Sequence, residues 1–286
     1  MAGTIAIASG KGGTGKTTLA VNLAAVADGP VTLADCDVEA PNDHLFLQPA
    51  WEQVTEFCVP LPESDPDTCT GCGACRDVCR FGAVILLGER PMVYPQLCHG
   101  CGGCSRACPT GAMTERSVRC GELRIGQRGA VRLVDGRLDI GQIKAPQLIR
   151  AVRREAASRD GLVLVDAPPG TSCPVVAAVR DVDYLVLVTE PTPFGLHDLR
   201  LAVEMARRIG LPIGVVLNRA GLGFEKVADY CRQANIEMLE TIRFDPRIAS
   251  VYATGGLLVG GIEEYRQRFT ALLAKLLDRA AGRGRA

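Results

Sequence analysis

Residues 9–18 of the chain read SGKGGTGKTT, and they follow an apolar stretch, TIAIA, at residues 4–8. They fit the pattern G-x-x-x-x-G-K-[ST] between a predicted strand and a predicted helix. Glycines in such a loop let backbone N–H groups approach phosphate oxygens, and the helix N-terminus adds positive potential. The sequence therefore predicts a nucleoside triphosphate site, with Lys16 on the β- and γ-phosphates and Thr17 on Mg²⁺. The candidate nucleotide-binding residues of the loop are Gly12, Gly13, Thr14, Gly15, Lys16, Thr17 and Thr18.

Apolar strands alternate with amphipathic segments along most of the remaining chain. The further predicted strands are 31–35, 162–166, 184–188, 213–217 and 238–242. The predicted helices are 146–158, 196–209, 223–235 and 262–280. Continuous Val, Leu and Ile runs separated by helices predict an α/β fold with a mostly parallel sheet covered on both faces. The segment VRLVDGRLDI (131–140) predicts a hairpin, because Asp-Gly favours the positive φ that its turn requires.

The composition restricts the classes of function. The 286 residues include 32 Lys plus Arg and 32 Asp plus Glu, so the formal net charge is zero. Neutrality argues against nucleic acid as the main partner, because such binding depends on phosphate neutralisation. The 47% of hydrophobic residues can build a full globular core. The sequence has no recognisable signal peptide and no membrane-spanning apolar run, which predicts a cytoplasmic location.

Thirteen cysteines are many for such a chain, and in the cytosol these thiols are more often metal ligands than disulfides. Eight of them form two runs with the identical spacing C-x2-C-x2-C-x3-C. In bacterial ferredoxins with this spacing, three cysteines of a run bind one 4Fe-4S cluster and the fourth binds the other cluster. The predicted sets are Cys69, Cys72, Cys75 and Cys108 for the first cluster, and Cys79, Cys98, Cys101 and Cys104 for the second. Zinc and a disulfide scaffold are the alternatives.

The two cysteine runs belong to an internal repeat. The second run begins 98 − 69 = 29 residues after the first, and CRFGAV after the first run matches CPTGAM after the second. We assign residues 57–116 to a small ferredoxin-like insert of the α+β type, and residues 1–56 and 117–286 to one discontinuous domain. A unit as small as the insert has little apolar core, so we expect the clusters to hold it folded.

A further lysine, Lys11, precedes the loop glycines and gives KGGTGKT at residues 11–17. This deviant Walker A sequence resembles that of the MinD/ParA/Mrp group of P-loop ATPases, which also includes the nitrogenase iron protein. The resemblance implies an ATPase that forms a dimer when it binds ATP. It also implies that Lys11 reaches the partner's nucleotide and stabilises charge on the transferred phosphoryl group.

Two further segments are similar to the switches of that group. DCDVEAPN (35–42) resembles the first switch, which implies that Asp37 positions the attacking water and that Asp35 lies near Mg²⁺. LVLVDAPPGTS (162–172) resembles the Walker B strand and the second switch, which implies that Asp166 holds Mg²⁺ through water. The implied catalytic residues are Lys11, Lys16 and Asp37, and the implied Mg²⁺ set is Thr17, Asp35, Asp37 and Asp166. The implied adenine-side contacts are Asn218, Arg219, Asp245 and Pro246.

The resemblance extends over nearly the whole chain, most of all to MinD-like ATPases with a two-cluster ferredoxin insert after the first switch. Such proteins are often called cobyrinic acid diamide synthase-like, but those synthases need an amidotransferase domain for which this chain has no room. The resemblance implies an ATP-hydrolysing iron–sulfur protein that delivers electrons or clusters to a redox partner or apoprotein. Its ATP-dependent dimer would form with a second copy or with a paralogous ATPase.

Two other functions stay open at this point. A MinD-like or ParA-like positioning switch would act on a membrane, on DNA or on a partner complex, and a slow ATP-binding scaffold would regulate a partner. The C-terminal segment bears on the membrane alternative, because its apolar residues share one helical face and a basic tail follows. We expect that face to pack on the sheet instead. The residues of this face are Tyr265, Phe269, Leu272, Leu273, Leu276 and Leu277, and those of the tail are Arg279, Arg283 and Arg285.

Overall fold

The computed structural model describes residues 3–221 and 223–282 of the chain. The strands are β1 (Thr4–Ala8), β2 (Val31–Asp35), β3 (Ala50–Ser64), β4 (Val84–Leu87), β5 (Arg90–Val93), β6 (Met113–Arg128), β7 (Val131–Leu138), β8 (Leu162–Asp166), β9 (Tyr184–Thr189), β10 (Ile213–Ala220) and β11 (Glu237–Arg243). The helices are α1 (Lys16–Ala25), α2 (Asp43–Leu47), α3 (Ala74–Asp77), α4 (Gly103–Ala107), α5 (Ala145–Ala156), α6 (Cys173–Val179), α7 (Pro193–Ile209), α8 (Lys226–Gln233), α9 (Pro246–Ala253), α10 (Leu258–Gly261) and α11 (Glu263–Ala281). The tail residues Arg283 and Arg285 lie outside the described residues.

The chain forms two compact units. The sheet unit consists of Met1–Val54, Leu123–Arg137 and Pro146–Ala286. The cysteine unit consists of Thr55–Glu122 and Leu138–Ala145. All of residues 57–116 fall within the cysteine unit.

The main sheet has the strand order β11-β10-β9-β1-β8-β2-β7-β6-β3. The pairs that join β11, β10, β9, β1, β8, β2 and β7 in that order are all parallel. The predicted α/β fold with a mostly parallel sheet is therefore confirmed. Asp35 at the end of β2 lies in register with Asp166 of β8 and with Asp135 of β7. This register places the three aspartates side by side on neighbouring strands, and Asp35 and Asp166 both end their strands.

The predicted hairpin at residues 131–140 is wrong, because 131–138 forms the single strand β7. Asp135 is buried within β7, where its carboxylate accepts two hydrogen bonds from Arg124, at 2.8 and 2.7 Å. A Cβ on Gly136 would lie only 2.8 Å from Cγ2 of Val152 in α5, so this glycine permits close helix packing. The chain reverses between β6 and β7 instead, where Gly129 has a φ of 56°.

The predicted C-terminal helical face belongs to the core of the sheet unit. Five of the six side chains predicted for this face are buried in the same apolar cluster as Ile5 of β1 and Leu23 of α1. These five are Tyr265, Phe269, Leu272, Leu273 and Leu276. Leu277 is 37% exposed. The face therefore packs against the domain, and no helix among the described residues has the length and apolar character to cross a membrane.

The cysteine unit repeats one short structure twice. α3 begins after Gly73, with a φ of 81°, and α4 begins after Gly102, with a φ of 71°. These left-handed glycines occupy equivalent positions of the internal repeat, and each turns the chain between two cysteines of a run. β4 and β5 form a separate antiparallel pair in this unit. The two small apolar clusters of the unit include cysteines that the sequence predicts to be iron ligands.

Candidate functional site

The phosphate loop joins β1 to α1. Gly13 and Gly15 have φ values of 76° and 98°, which side-chain-bearing residues rarely adopt. A Cβ on Gly10 would collide with the backbone carbonyl of Asp198, so glycine is required there for packing. Lys16 begins α1 and is only 7% exposed. The loop therefore presents its N–H groups and a lysine at the N-terminus of a helix, which is a suitable place for phosphate.

Thr17 and Asp166 connect the loop to the end of β8. The Thr17 hydroxyl donates a 2.7 Å hydrogen bond to Oδ2 of Asp166. The other oxygen of Asp166, Oδ1, is buried and accepts no hydrogen bond from the described residues. Burial raises the pKa of Asp166 to about 6. A hydroxyl and a carboxylate oxygen side by side are ligands that Mg²⁺ prefers, so the residues present fit that ion.

Asp35 shapes the segment that follows β2. Its Oδ1 accepts a 3.0 Å hydrogen bond from the Asp37 N–H, and its Oδ2 accepts bonds of 2.9 and 3.1 Å from the N–H groups of Asn42 and Asp43. Both oxygens therefore hold the backbone of residues 37–43. The expectation that Asp35 lies near Mg²⁺ stays a prediction, whereas its contacts make it a positioning residue for Asp37.

Asp43 is a candidate site residue that the sequence did not reveal. It is the first residue of α2 and is fully buried, and its carboxyl lies within hydrogen-bonding reach of the Asp166 carboxyl. Burial raises the pKa of Asp43 well above its usual range, and the charges of Asp35 and Asp166 add to this effect. No local pattern marks Asp43, because its importance depends on the register that brings Asp35 beside Asp166. Its only sequence signal is that it directly follows the switch-like segment 35–42.

A cavity of about 590 Å³ extends from the loop to the segment after β11. The Nδ2 group of Asn218 donates a 2.8 Å hydrogen bond to the Thr14 carbonyl and thereby fixes one wall of the cavity to the loop. The predicted site residues that line the cavity are Gly12, Gly13, Gly15, Lys16, Thr17, Thr18, Asp37, Asn218, Arg219 and Asp245. Predicted site residues that do not line it are Lys11, Thr14, Asp35, Asp166 and Pro246.

Asp245 and Pro246 lie where β11 leads into α9. Asp245 caps the helix by accepting a 2.9 Å hydrogen bond from the Arg247 N–H. The hydrogen bonds of the Arg247 guanidinium to this carboxylate lower the pKa of Asp245 to about 2. Pro246 is the first residue of α9, a common position for proline. The prediction that Pro246 contacts adenine gains no support from this position, which is typical of helix initiation.

Lys11 does not point into the cavity of its own chain. Its ammonium forms an ion pair with Oε1 of Glu190, at the end of β9. Arg219 binds the other oxygen of the same carboxylate at 3.2 Å. Partial burial opposes ionisation of Glu190, but the two cations outweigh it and lower the pKa of that carboxyl.

The eight cysteines of the two runs line two cavities of the cysteine unit, four to each. One cavity is lined by Cys69, Cys72, Cys75 and Cys108, and the other by Cys79, Cys98, Cys101 and Cys104. The structure thus brings together both sets that the sequence spacing predicts. Backbone N–H groups of Ala83 and Gly100 point at the sulfurs of Cys79 and Cys98, at 3.3 and 3.4 Å. Within residues 3–221 and 223–282, no group of three or more His, Cys, Asp or Glu is arranged to hold a single metal ion.

The family of the chain follows from its sequence match. Residues 5–259 match the CobQ/CobB/MinD/ParA nucleotide binding domain. The chain belongs to this family. The chain is similar to an uncharacterized protein of Methanocaldococcus jannaschii. The two are 34% identical over 221 residues, which are 76% of this chain and 78% of that protein.

Two other comparisons concern function and fold. An iron–sulfur cluster carrier protein of Aquifex aeolicus is 23% identical over 271 residues, which are 86% of this chain and 58% of that protein. Among solved structures, the septum site-determining protein MinD of Pyrococcus horikoshii OT3, complexed with Mg-ADP, aligns with a TM-score of 0.59 and 22% identity, over 96% of each chain. This likeness establishes that the CobQ/CobB/MinD/ParA chain has the MinD fold.

Proposed function

We propose that the chain is an ATP-hydrolysing iron–sulfur protein in which the nucleotide state of a dimer governs electron transfer or cluster delivery. The observation that carries the proposal is that eight cysteines line two cavities, four to each, in a chain that also has a phosphate loop. The relative that carries iron–sulfur clusters and the MinD structure with Mg-ADP support the two cofactor classes.

In the proposed ATP complex, the phosphates lie on the loop and the adenosine occupies the wider part of the cavity. Lys16 supplies positive charge, and Thr17 and Asp166 hold Mg²⁺, the latter through water. Asp37 lines the cavity and orients the attacking water. Burial raises the pKa of Asp37, while Lys16 opposes the shift. A carboxyl with a raised pKa is better suited to accept a proton from that water.

The proposed dimer gives Lys11 a second position. In the isolated chain the ammonium is bound to Glu190, outside its own cavity. When two chains associate around ATP, Lys11 leaves Glu190 and approaches the partner's phosphates, where it stabilises charge that develops during hydrolysis. We propose that the partner is a second copy or a paralogous ATPase.

In the cysteine unit, we propose that residues 57–116 form a ferredoxin-like insert that holds two 4Fe-4S clusters. Left-handed glycines let each cysteine loop curve around its cavity, and the backbone N–H groups of Ala83 and Gly100 are aimed at the sulfurs of Cys79 and Cys98. The clusters supply one-electron chemistry when bound. Electron transfer is favoured over cluster delivery, because carriers of the Mrp type hold a bridging cluster on a C-x-x-C pair, and residues 117–286 contain none.

Anaerobic reconstitution of the full chain with iron and sulfide tests the proposal. After iron and acid-labile sulfide are measured, the dithionite-reduced protein is mixed with an oxidised viologen dye or an apoferredoxin, with ATP, with ADP or without nucleotide. We expect the rate of dye reduction or cluster transfer to change with ATP in the natural protein and not in Lys16→Ala. An equal rate in all three conditions contradicts the coupling of nucleotide state to the clusters. If the protein binds no iron, the iron–sulfur part of the proposal fails and only the nucleotide site is left.

The positioning-switch alternative has weaker support. The apolar face of α11 that would bind lipid is part of the core, with Phe269 and Leu276 almost fully buried. Sedimentation with anionic liposomes in the presence of ATP distinguishes the two functions. Binding that requires ATP would favour the positioning switch.

A further inference from the structure

Lys144 is a buried lysine of the cysteine unit. It lies immediately before α5, and only 1% of its surface is exposed. Its ammonium donates hydrogen bonds to the backbone carbonyls of Pro95, at 3.1 Å, and of Cys98. Both carbonyls belong to the loop that enters the second cysteine run. A residue 46 positions away in the sequence therefore holds the backbone of a predicted cluster ligand.

The charge of Lys144 has no anionic partner among the described side chains. A carboxylate of the same unit, Asp139, binds the guanidinium of Arg119 instead. A nearby buried thiol, Cys120, stays neutral because burial raises its pKa, although Lys144 opposes the shift. Two carbonyl dipoles solvate the ammonium without neutralising it. A buried cation without an anion is strongly unfavourable, so its presence indicates negative charge in the functional protein.

The cavity beside this loop supplies such an anion when a cluster is bound. Cys98 is buried and lines it with Cys79, Cys101 and Cys104. Four thiolates outweigh the positive charge of the iron–sulfur core, so the complete group is an anion. Neither cavity has a lysine or arginine among its described lining residues, but the Lys144 ammonium is bound to the backbone carbonyl of Cys98 in the second set. Arg76, which follows Cys75, pairs with Asp77 at the surface.

We infer that Lys144 is the counter-cation of the cluster bound by Cys79, Cys98, Cys101 and Cys104, and that it makes this cluster the more easily reduced of the two. The inference rests on the proposed function. In the reduction step, one electron from a reductant such as dithionite enters the iron core, and no bond is broken and no proton is taken up. The added negative charge lies close to the Lys144 ammonium, which stabilises the reduced form. An electron shared between the two clusters therefore resides mainly on the second.

An EPR-monitored redox titration of the reconstituted full chain tests this inference. The variants are Lys144→Met, which removes the charge, and Lys144→Arg, which keeps it. Lys226→Met, at an exposed position of α8 in the sheet unit, is the matched control. We expect Lys144→Met to lower the equilibrium constant for reduction of one cluster about tenfold, which is about 59 mV for one electron. The other cluster, and both clusters of Lys144→Arg and Lys226→Met, keep the natural potentials.

Iron, sulfide and circular dichroism measurements separate the outcomes. Unchanged potentials in Lys144→Met, or an equal shift of both clusters, overturn the inference and leave the proposed function intact. If Lys144→Met loses one cluster entirely, the Lys144→Arg variant decides between the outcomes. Retention of both clusters by Lys144→Arg supports the counter-cation, and loss of a cluster from Lys144→Arg overturns it. If the natural protein takes up no iron and sulfide, the proposed clusters and the counter-cation fail together.

Discussion

Lys11 and Glu190 form an ion pair that joins the phosphate loop to the end of β9. Both are partly buried, and Arg219 shares the same carboxylate. In the dimer that we propose, Lys11 leaves Glu190 in order to bind the partner's phosphate. The free energy of this ion pair therefore opposes the ATP-dependent dimer that we propose.

Replacement of Glu190 tests this competition. We expect Glu190→Gln to release Lys11 and to lower the protein concentration at which ATP induces the dimer, by a factor of about three to ten. Analytical ultracentrifugation with ATP and Mg²⁺ measures the change. The control is Glu204→Gln, which removes an exposed ion pair with Arg208 on α7. Dimerisation that is equally strong in the natural protein and in Glu190→Gln would contradict the proposed competition.

The ion pair of Arg124 with Asp135 should contribute to the free energy of unfolding. Asp135 is completely buried, and Arg124 binds both of its oxygens. Arg124→Met leaves a buried carboxylate without its partner, and we expect the free energy of unfolding to fall by about 3–5 kcal/mol. Urea denaturation at neutral pH measures this loss.

The double variant Arg124→Met with Asp135→Asn is the control for that experiment. It removes the uncompensated charge and should recover more than half of the lost free energy of unfolding. If the double variant is as unstable as the single one, the loss comes from packing and not from charge.

Replacement of Cys108 tests which cysteines bind which of the two proposed clusters. It ends the second cysteine run but lines the same cavity as Cys69, Cys72 and Cys75. We expect Cys108→Ser to remove or alter the cluster of the first run and to leave the other EPR signal unchanged, since three of four thiolates hold a cluster less well. Cys173→Ser, an exposed cysteine of the sheet unit, is the control. A Cys108→Ser protein that loses the cluster carrying the Lys144-dependent potential would reverse the assignment.

The ion pairs of Glu237 should make the free energy of unfolding depend on pH. It begins β11 and pairs with Lys275 and Arg279 of α11, and hydrogen bonds from Arg279 and Lys275 lower its pKa to about 2. Because the folded pKa is below the unfolded one, the stabilisation is complete above pH 4.5 and is lost as the pH falls towards 2. Solvent screens these partly exposed charges, so we expect Glu237→Gln to lower the free energy of unfolding by about 0.5–1 kcal/mol at pH 7.

The difference between the natural protein and Glu237→Gln should shrink steadily in denaturation experiments between pH 4.5 and the lowest pH at which the sheet unit remains folded. Glu263→Gln, which removes the distant i,i+3 contact with Arg266, is the control. A destabilisation by Glu237→Gln that is independent of pH would contradict the ionic origin.

The sequence predicted the central strands well for a physical reason. Strands 4–8, 31–35 and 162–166 have the predicted bounds, because strands buried on both faces must be continuously apolar. The hairpin prediction was wrong because Asp135-Gly136 is a strong local turn signal. In the structure the Asp135 carboxylate binds Arg124, and the absence of a side chain at Gly136 lets α5 pack closely. A local pattern cannot report such tertiary contacts.

The same distinction applies to the candidate sites. The phosphate loop and the cysteine sets were predictable because their spacing along the chain encodes their geometry. Asp43 and Lys144 were not predictable, because each is buried beside residues distant in sequence, and no local pattern reports such contacts. The ion pair of Lys11 with Glu190 was equally hidden, since 179 positions separate the two residues.

Because Gly73 and Gly102 occupy equivalent positions of the repeat, the two halves of the cysteine unit can be compared directly with each other. Each half of the repeat turns its cysteine loop with a left-handed glycine at the same position, so the two loops begin their helices in the same way. Lys144 lies outside the duplicated segment and binds only the second loop, so it would give two otherwise similar proposed clusters different surroundings.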